Sequence, residues 1–176
     1  MICRPLRDNN IHLHLYTESY HQKNKDIINQ LKNNFPNHFH IHSHCRNSNW
    51  VSEFSKYDAG WLHLFNSSNN GNIALAGWDD LNIPARISVL AAAGLPVIQK
   101  DNNGHIVATQ SIAKKFNFGI FYNDYNELSK KLKDKKTIKD LTKNIITKRN
   151  YFNFDNHVPS LINFFRLTIV SKNNER

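Results

Sequence analysis

The segment Trp78-Asp-Asp-Leu-Asn-Ile-Pro-Ala-Arg-Ile-Ser-Val-Leu-Ala-Ala-Ala-Gly-Leu-Pro-Val-Ile98 carries the residue types that bind an anion. Its spacing predicts a polar loop, a helix and a short buried strand. Asn82 suits the N-cap and Pro84 the first helical turn. Unpaired N–H groups at a helix start attract negative charge. Arg86 adds a forked donor matched to phosphate. Ser88 follows on the same helix, and Asp79 and Asp80 lie just before it. Two loop acids suit either Mg²⁺ ligation or plain solvation. A diphosphate fits this arrangement, and so does a Pro-initiated structural helix with a surface arginine.

Histidine is the other reactive group. His38, His40, His42 and His44 alternate, and His12 and His14 alternate on what reads as the neighbouring strand. Neutral imidazoles can hold Zn²⁺. Same-face side chains on one strand stand nearly 7 Å apart, about twice the ~3.3 Å rise. Histidines of one strand therefore do not meet easily at one ion, whereas a cross-strand pair can. No Cys or Glu pattern completes a site, so no metal is expected. His42 and His44, beside Tyr16 and Thr17 at the strand ends, are candidates to face a nucleotide base or its phosphates. Cys45 follows His44 directly, and strand neighbours point to opposite faces, so the two do not form a nucleophile–base pair. There is no Walker-type loop and no Gly-x-Gly-x-x-Gly fingerprint.

These residues need a scaffold. The pattern predicts a strand over Ile11–Tyr16, a helix over Glu18–Phe35 stopped by Pro36, and a strand over Phe39–Cys45. A short helix over Trp50–Ser55 and a strand over Asp58–Leu64 follow. The helix of Arg86–Ala93 ends at Gly94, and Leu95–Ile98 is a buried strand. Beyond it come a helix over Ile106–Phe116, a strand over Gly119–Tyr122, two Lys-rich helices, and a last helix over Asn156–Val170. Strands alternating with helices imply a parallel, doubly wound α/β sheet of five strands. Ile2–Arg7 reads as the tail of a helix whose preceding strand lies upstream.

Composition agrees with one folded domain. The chain has 176 residues, and 40% hydrophobic residues argue against disorder. Lys and Arg number 23 against 14 Asp and Glu, a net charge of +9, which permits anionic partners. The lysines concentrate between Asn126 and Arg149 on two amphipathic patterns. Aromatic residues are not interleaved with them, so nucleic acid is not an expected partner. A membrane surface is the alternative reading of that face. No apolar run reaches the ~18 residues of a membrane span, and the N-terminus lacks a signal-peptide core. Two cysteines make no disulfide framework. A cytoplasmic location follows, with peripheral membrane contact as the alternative.

The order of these pieces resembles the C-terminal domain of GT-B glycosyltransferases. Ile83-Pro-Ala-Arg…Ala-Ala-Gly-Leu-Pro-Val-Ile looks like that family's helix-to-strand signature. Lys56-Tyr-Asp-Ala-Gly-Trp-Leu looks like its preceding step. Gly119-Ile-Phe-Tyr…Glu127-Leu looks like its later strand and helix. Arg149-Asn-Tyr-Phe-Asn-Phe-Asp-Asn-His157 resembles the approach to its terminal helix. The resemblance covers nearly the whole chain in order.

It implies a Rossmann-like parallel sheet flanked by helices, spanning residues 1–176 as one half of a GT-B enzyme. Residues 150–176 would form the C-terminal helix region. It implies a nucleotide-diphosphate sugar as ligand, held by Arg86 and the helix start at Asn82, and hexosyl transfer in the complete enzyme. No metal or other cofactor is implied. The family's ribose-binding Glu position is Val89 here, which leaves Ser88, Asp79 or Asp80 as substitutes. The acceptor site and base belong to the family's first domain, so the chain alone is expected to be inactive in transfer. Phe152, Phe154, Leu161, Ile162, Phe164 and Phe165 would then meet a separate first domain or a second copy. A non-catalytic nucleotide- or partner-binding module derived from such an enzyme is the alternative.

Overall fold

The computed structural model describes residues 3–17, 22–43, 45–46 and 48–174. Glu18 and His44, both named above, lie outside them. Helix α1 (Cys3–Asp8) precedes strand β1 (Leu13–Tyr16), helix α2 (Gln22–Asn34) and strand β2 (Phe39–His42). Helix α3 (Trp50–Phe54) leads to strand β3 (Gly60–His63). A long loop holds the short helix α4 (Trp78–Leu81). Then come α5 (Arg86–Ala92), β4 (Val97–Lys100), α6 (Ala108–Lys115) and β5 (Gly119–Tyr122). Helices α7 (Tyr125–Lys133), α8 (Lys135–Lys148) and α9 (Val158–Asn174) finish the chain.

The chain is α/β, and every strand pairing among the described residues is parallel. The strands do not form one continuous sheet. β1 pairs with β2, and β3-β4-β5 form a second sheet. This corrects the expectation of a single five-stranded sheet. β1 and β3 each keep one edge without a ladder partner, because no described strand lies between the two sheets.

Two apolar layers sandwich the larger sheet, as a parallel sheet requires. Leu62 and Val97 pack with Ile87, Leu90 and Ala91 of α5, with Phe118, and with Ile145 of α8. Ile98, Ile120 and Tyr122 pack on the opposite face with Leu128 of α7 and with Ile138 and Leu141 of α8. Burying each large side chain contributes ~1.5–3 kcal/mol. The smaller sheet has a modest core in which Phe35 and Phe39 meet Leu13, Ile28, Leu31 and Ile41. Its other face carries the histidines and meets the α3 region through Glu53 and Tyr57.

Several boundaries follow local chemistry. Gly94 ends α5 with φ of +74°, a conformation that favours glycine. Asp124 caps α7 by accepting from the N–H groups of Asn126 and Glu127, and Asp134 caps α8 by accepting from Thr137. Asn82 is not the N-cap of α5. It ends α4, its N–H donating to Trp78 at 2.9 Å with an extended ψ of 134°. Pro84 opens the next turn instead, its carbonyl accepting from Ile87 N–H at 3.0 Å.

Helix α9 is apolar almost all round. Phe164, Phe165, Leu167, Ile169 and Val170 are each more than half exposed. Phe152 behaves differently, packing edge-on against buried Phe118.

Candidate functional site

Ligands of open α/β sheets bind beyond the carboxyl ends of the strands. At that end of β3 lies Arg86, the first residue of α5. Its Nη1 donates to the main-chain carbonyl of Leu62 at 2.9 Å. The Trp61 carbonyl is a longer second acceptor at 3.5 Å. Arg86 remains exposed, so the rest of its fork is open to a ligand. The helix amides contribute less than the sequence implied. Ile87 N–H is taken by Pro84, and the N–H groups of Ser88 and Val89 by the Ala85 carbonyl. The Pro84–Ala85 turn thus pairs the N–H groups of Ile87 and Ser88, two of the donors that an ordinary helix start leaves free. The Arg86 side chain is an exposed cationic donor at this end of the sheet.

Beside it lies a pair that sequence reasoning missed. A register shift between Trp61 and His63 brings His63 opposite Gln99 of β4. His63 Nε2 donates to Gln99 Oε1 at 2.7 Å, and Thr109 Oγ1 donates to the same oxygen at 3.2 Å. Gln99 is fully buried. Burial, chiefly, holds the His63 ring below its ordinary pKa; nearby Arg86 pushes the same way, while the Gln99 hydrogen bond opposes it. The ring is therefore neutral near pH 7, with its proton on Nε2. His63 Nδ1 and Gln99 Nε2 are buried and have no hydrogen-bond partner among the described residues. One is an acceptor and the other a double donor. Buried polar atoms left so are costly. Phe65 stacks on His63 at 4.2 Å and walls the site. No residue-spacing signal marks this pair, because it depends on the shifted register.

The loop acids part company. Asp79 is exposed in the first turn of α4. Asp80 is buried, and its carboxylate accepts from Gly77 N–H at 3.0 Å. Hydrogen bonds from the Ser67 side chain, Gly77 and Asn69 hold it below the usual carboxylate range. It clamps the loop. Asn69 continues the clamp, donating to the Ile106 carbonyl and accepting from Ile106 N–H. Ser88 and Val89 are half-buried on α5.

The remaining candidates form a separate group on the smaller sheet. Tyr16 donates to Glu53 at 2.5 Å and shares a 2.5 Å contact with the Tyr57 hydroxyl. Burial and these bonds raise its phenol well above the ordinary range. Thr17 N–H donates to the His42 carbonyl at 3.2 Å. His42 stacks on Tyr16 at 4.5 Å and pairs with His14. His44 lies outside the described residues.

Among the described residues no helix is long and apolar enough to cross a membrane. Comparison with family models, curated proteins and solved structures finds no match to this chain.

Proposed function

We propose that this chain is the nucleotide-sugar donor-binding half of a GT-B-like glycosyltransferase. The observation that carries the reading is the convergence at the carboxyl end of β3. There the exposed fork of Arg86, anchored on the Leu62 carbonyl, lies beside the neutral His63–Gln99 pair with its two unpartnered polar atoms. Arg86 would hold the diphosphate, with the neutral His63–Gln99 pair behind it fixing the strand end on which it is anchored. In transfer, charge builds on the leaving nucleoside diphosphate, and a fixed guanidinium stabilises it there. The acceptor site and base would come from a separately supplied first domain, which the exposed apolar surface of α9 suits. The test is calorimetric titration with a nucleoside diphosphate, compared between the wild type and Arg86→Ala.

A second reading is a binding module without turnover. The half-buried Val89 favours it, because an apolar side chain stands where the resemblance places a ribose-binding carboxylate. Donor hydrolysis by the chain reconstituted with a first domain separates the two.

A further inference from the structure

The smaller sheet presents an unusual face. His12, His14 and Tyr16 of the β1 side interleave with His38, His40 and His42 of the β2 side. Ring centroids follow one another at 5.0 Å (His38–His12), 5.2 Å (His12–His40), 4.4 Å (His40–His14), 5.1 Å (His14–His42) and 4.5 Å (His42–Tyr16). Two contacts in this ladder, between rings tilted by only 11° and 14°, bring ring nitrogens together. His12 Nδ1 lies 2.9 Å from His40 Nε2, and His14 Nδ1 lies 2.9 Å from His42 Nε2. The backbone register sets His14 opposite His40, so both contacts are diagonals of the same sense.

We propose that these two cross-strand pairs, His12 with His40 and His14 with His42, are chelating sites for a divalent transition-metal ion of the zinc class. Two ligands at ~2.0–2.1 Å on a tetrahedral ion have nitrogens roughly 3.3 Å apart. Each pair must open by only about 0.4 Å to reach that separation. Same-strand histidines, at nearly twice the ~3.3 Å rise, cannot reach it. In each pair one hydrogen is now shared between two ring nitrogens. On metal binding that hydrogen moves to the outer nitrogen of its own ring, and both inner lone pairs turn to the ion. The rings stay neutral, so no proton is released.

The surroundings favour this exchange. The His40 ring also hydrogen-bonds the backbone of Asn37, the kind of outer contact that fixes a ligating imidazole. Glu53 adds negative charge beside His14 and His42. No group of three or more metal-ligating side chains converges among the described residues, so each ion keeps solvent in its remaining positions. Such a site is open and exchangeable rather than structural, and it is separate from the Arg86 region.

The test titrates the full chain with ZnCl₂ at pH 7.5 by calorimetry, and follows the imidazole ¹⁵N resonances of the wild type. The expected result is saturable binding at up to two ions per chain, with the largest shifts at His12 and His14 Nδ1 and at His40 and His42 Nε2. His42→Gln should remove one of the two ions and His40→Gln/His42→Gln both, while Arg86→Ala leaves binding unchanged. The wild-type resonances need no variant, so a misfolded substitution does not spoil the test. No saturable binding by the wild type, or shifts confined to His63, His105 and His157, would overturn the proposal. So would unchanged stoichiometry in a folded double variant.

Discussion

Arg86 Nη1 donates to the Leu62 main-chain carbonyl at 2.9 Å, joining the first residue of α5 to the penultimate residue of β3. The bond fixes where the guanidinium sits, and it also gives the side chain a part in stability. A surface arginine with no contacts would be neutral to remove. Arg86→Ala should instead cost ~0.5–1.5 kcal/mol, the net worth of one hydrogen bond. The urea midpoint measures this. A loss above ~3 kcal/mol would make Arg86 a structural residue first.

Gly94→Val should destabilise the chain by more than ~1–2 kcal/mol, because a β-branched residue is strained at φ of +74°. A Cβ there would also meet Ile146 Cγ1 at 3.1 Å. Ile146 can yield slightly, so the backbone is the larger contribution. Denaturant unfolding of the variant checks this, and a wild-type midpoint contradicts it.

The ladder makes stability acid-sensitive. His14 titrates near 4 in the folded chain against an ordinary 6.5, so the unfolded chain binds protons more readily. Its contribution is fully present above about pH 6.5 and is lost as pH falls through 4. His40 acts in the same direction. The melting temperature should therefore decline between pH 6.5 and 4, and His14→Gln should flatten that decline. Equal slopes in both proteins would show that the ladder is not the source.

Much of the scaffold was legible in the sequence, for reasons that can be named. Gly94 punctuates α5 because the left-handed turn needs glycine, and the Lys-rich segment forms α7 and α8 because its leucines and isoleucines recur at helical spacing. The Asn82 cap misled, because Asn serves helix ends and turns alike and α4 lies just ahead of it. The break between β1 and β3 was not readable either. Strand pairing is a long-range choice, and alternation of strands and helices says nothing about which edges meet. At the site, residue type pointed to Arg86. His63 and Gln99 came together only through a register shift, and Tyr16 found Glu53 and Tyr57 across the fold.

The apolar α9 should drive association. Exposing several large side chains, each worth ~1.5–3 kcal/mol when buried, favours any surface that covers them. Sedimentation should show concentration-dependent self-association, reduced by Phe164→Ser/Phe165→Ser. A monomer at high concentration would show that α9 has no such role in the isolated chain.

The most direct test of the donor-binding reading is calorimetric titration of the folded wild-type chain with a nucleoside diphosphate, repeated with Arg86→Ala. Binding should be saturable and should weaken by ~1.5–3 kcal/mol in the variant, as expected for a charged hydrogen bond to phosphate. No binding by the wild type, or the same affinity in the Arg86 variant, would contradict the account.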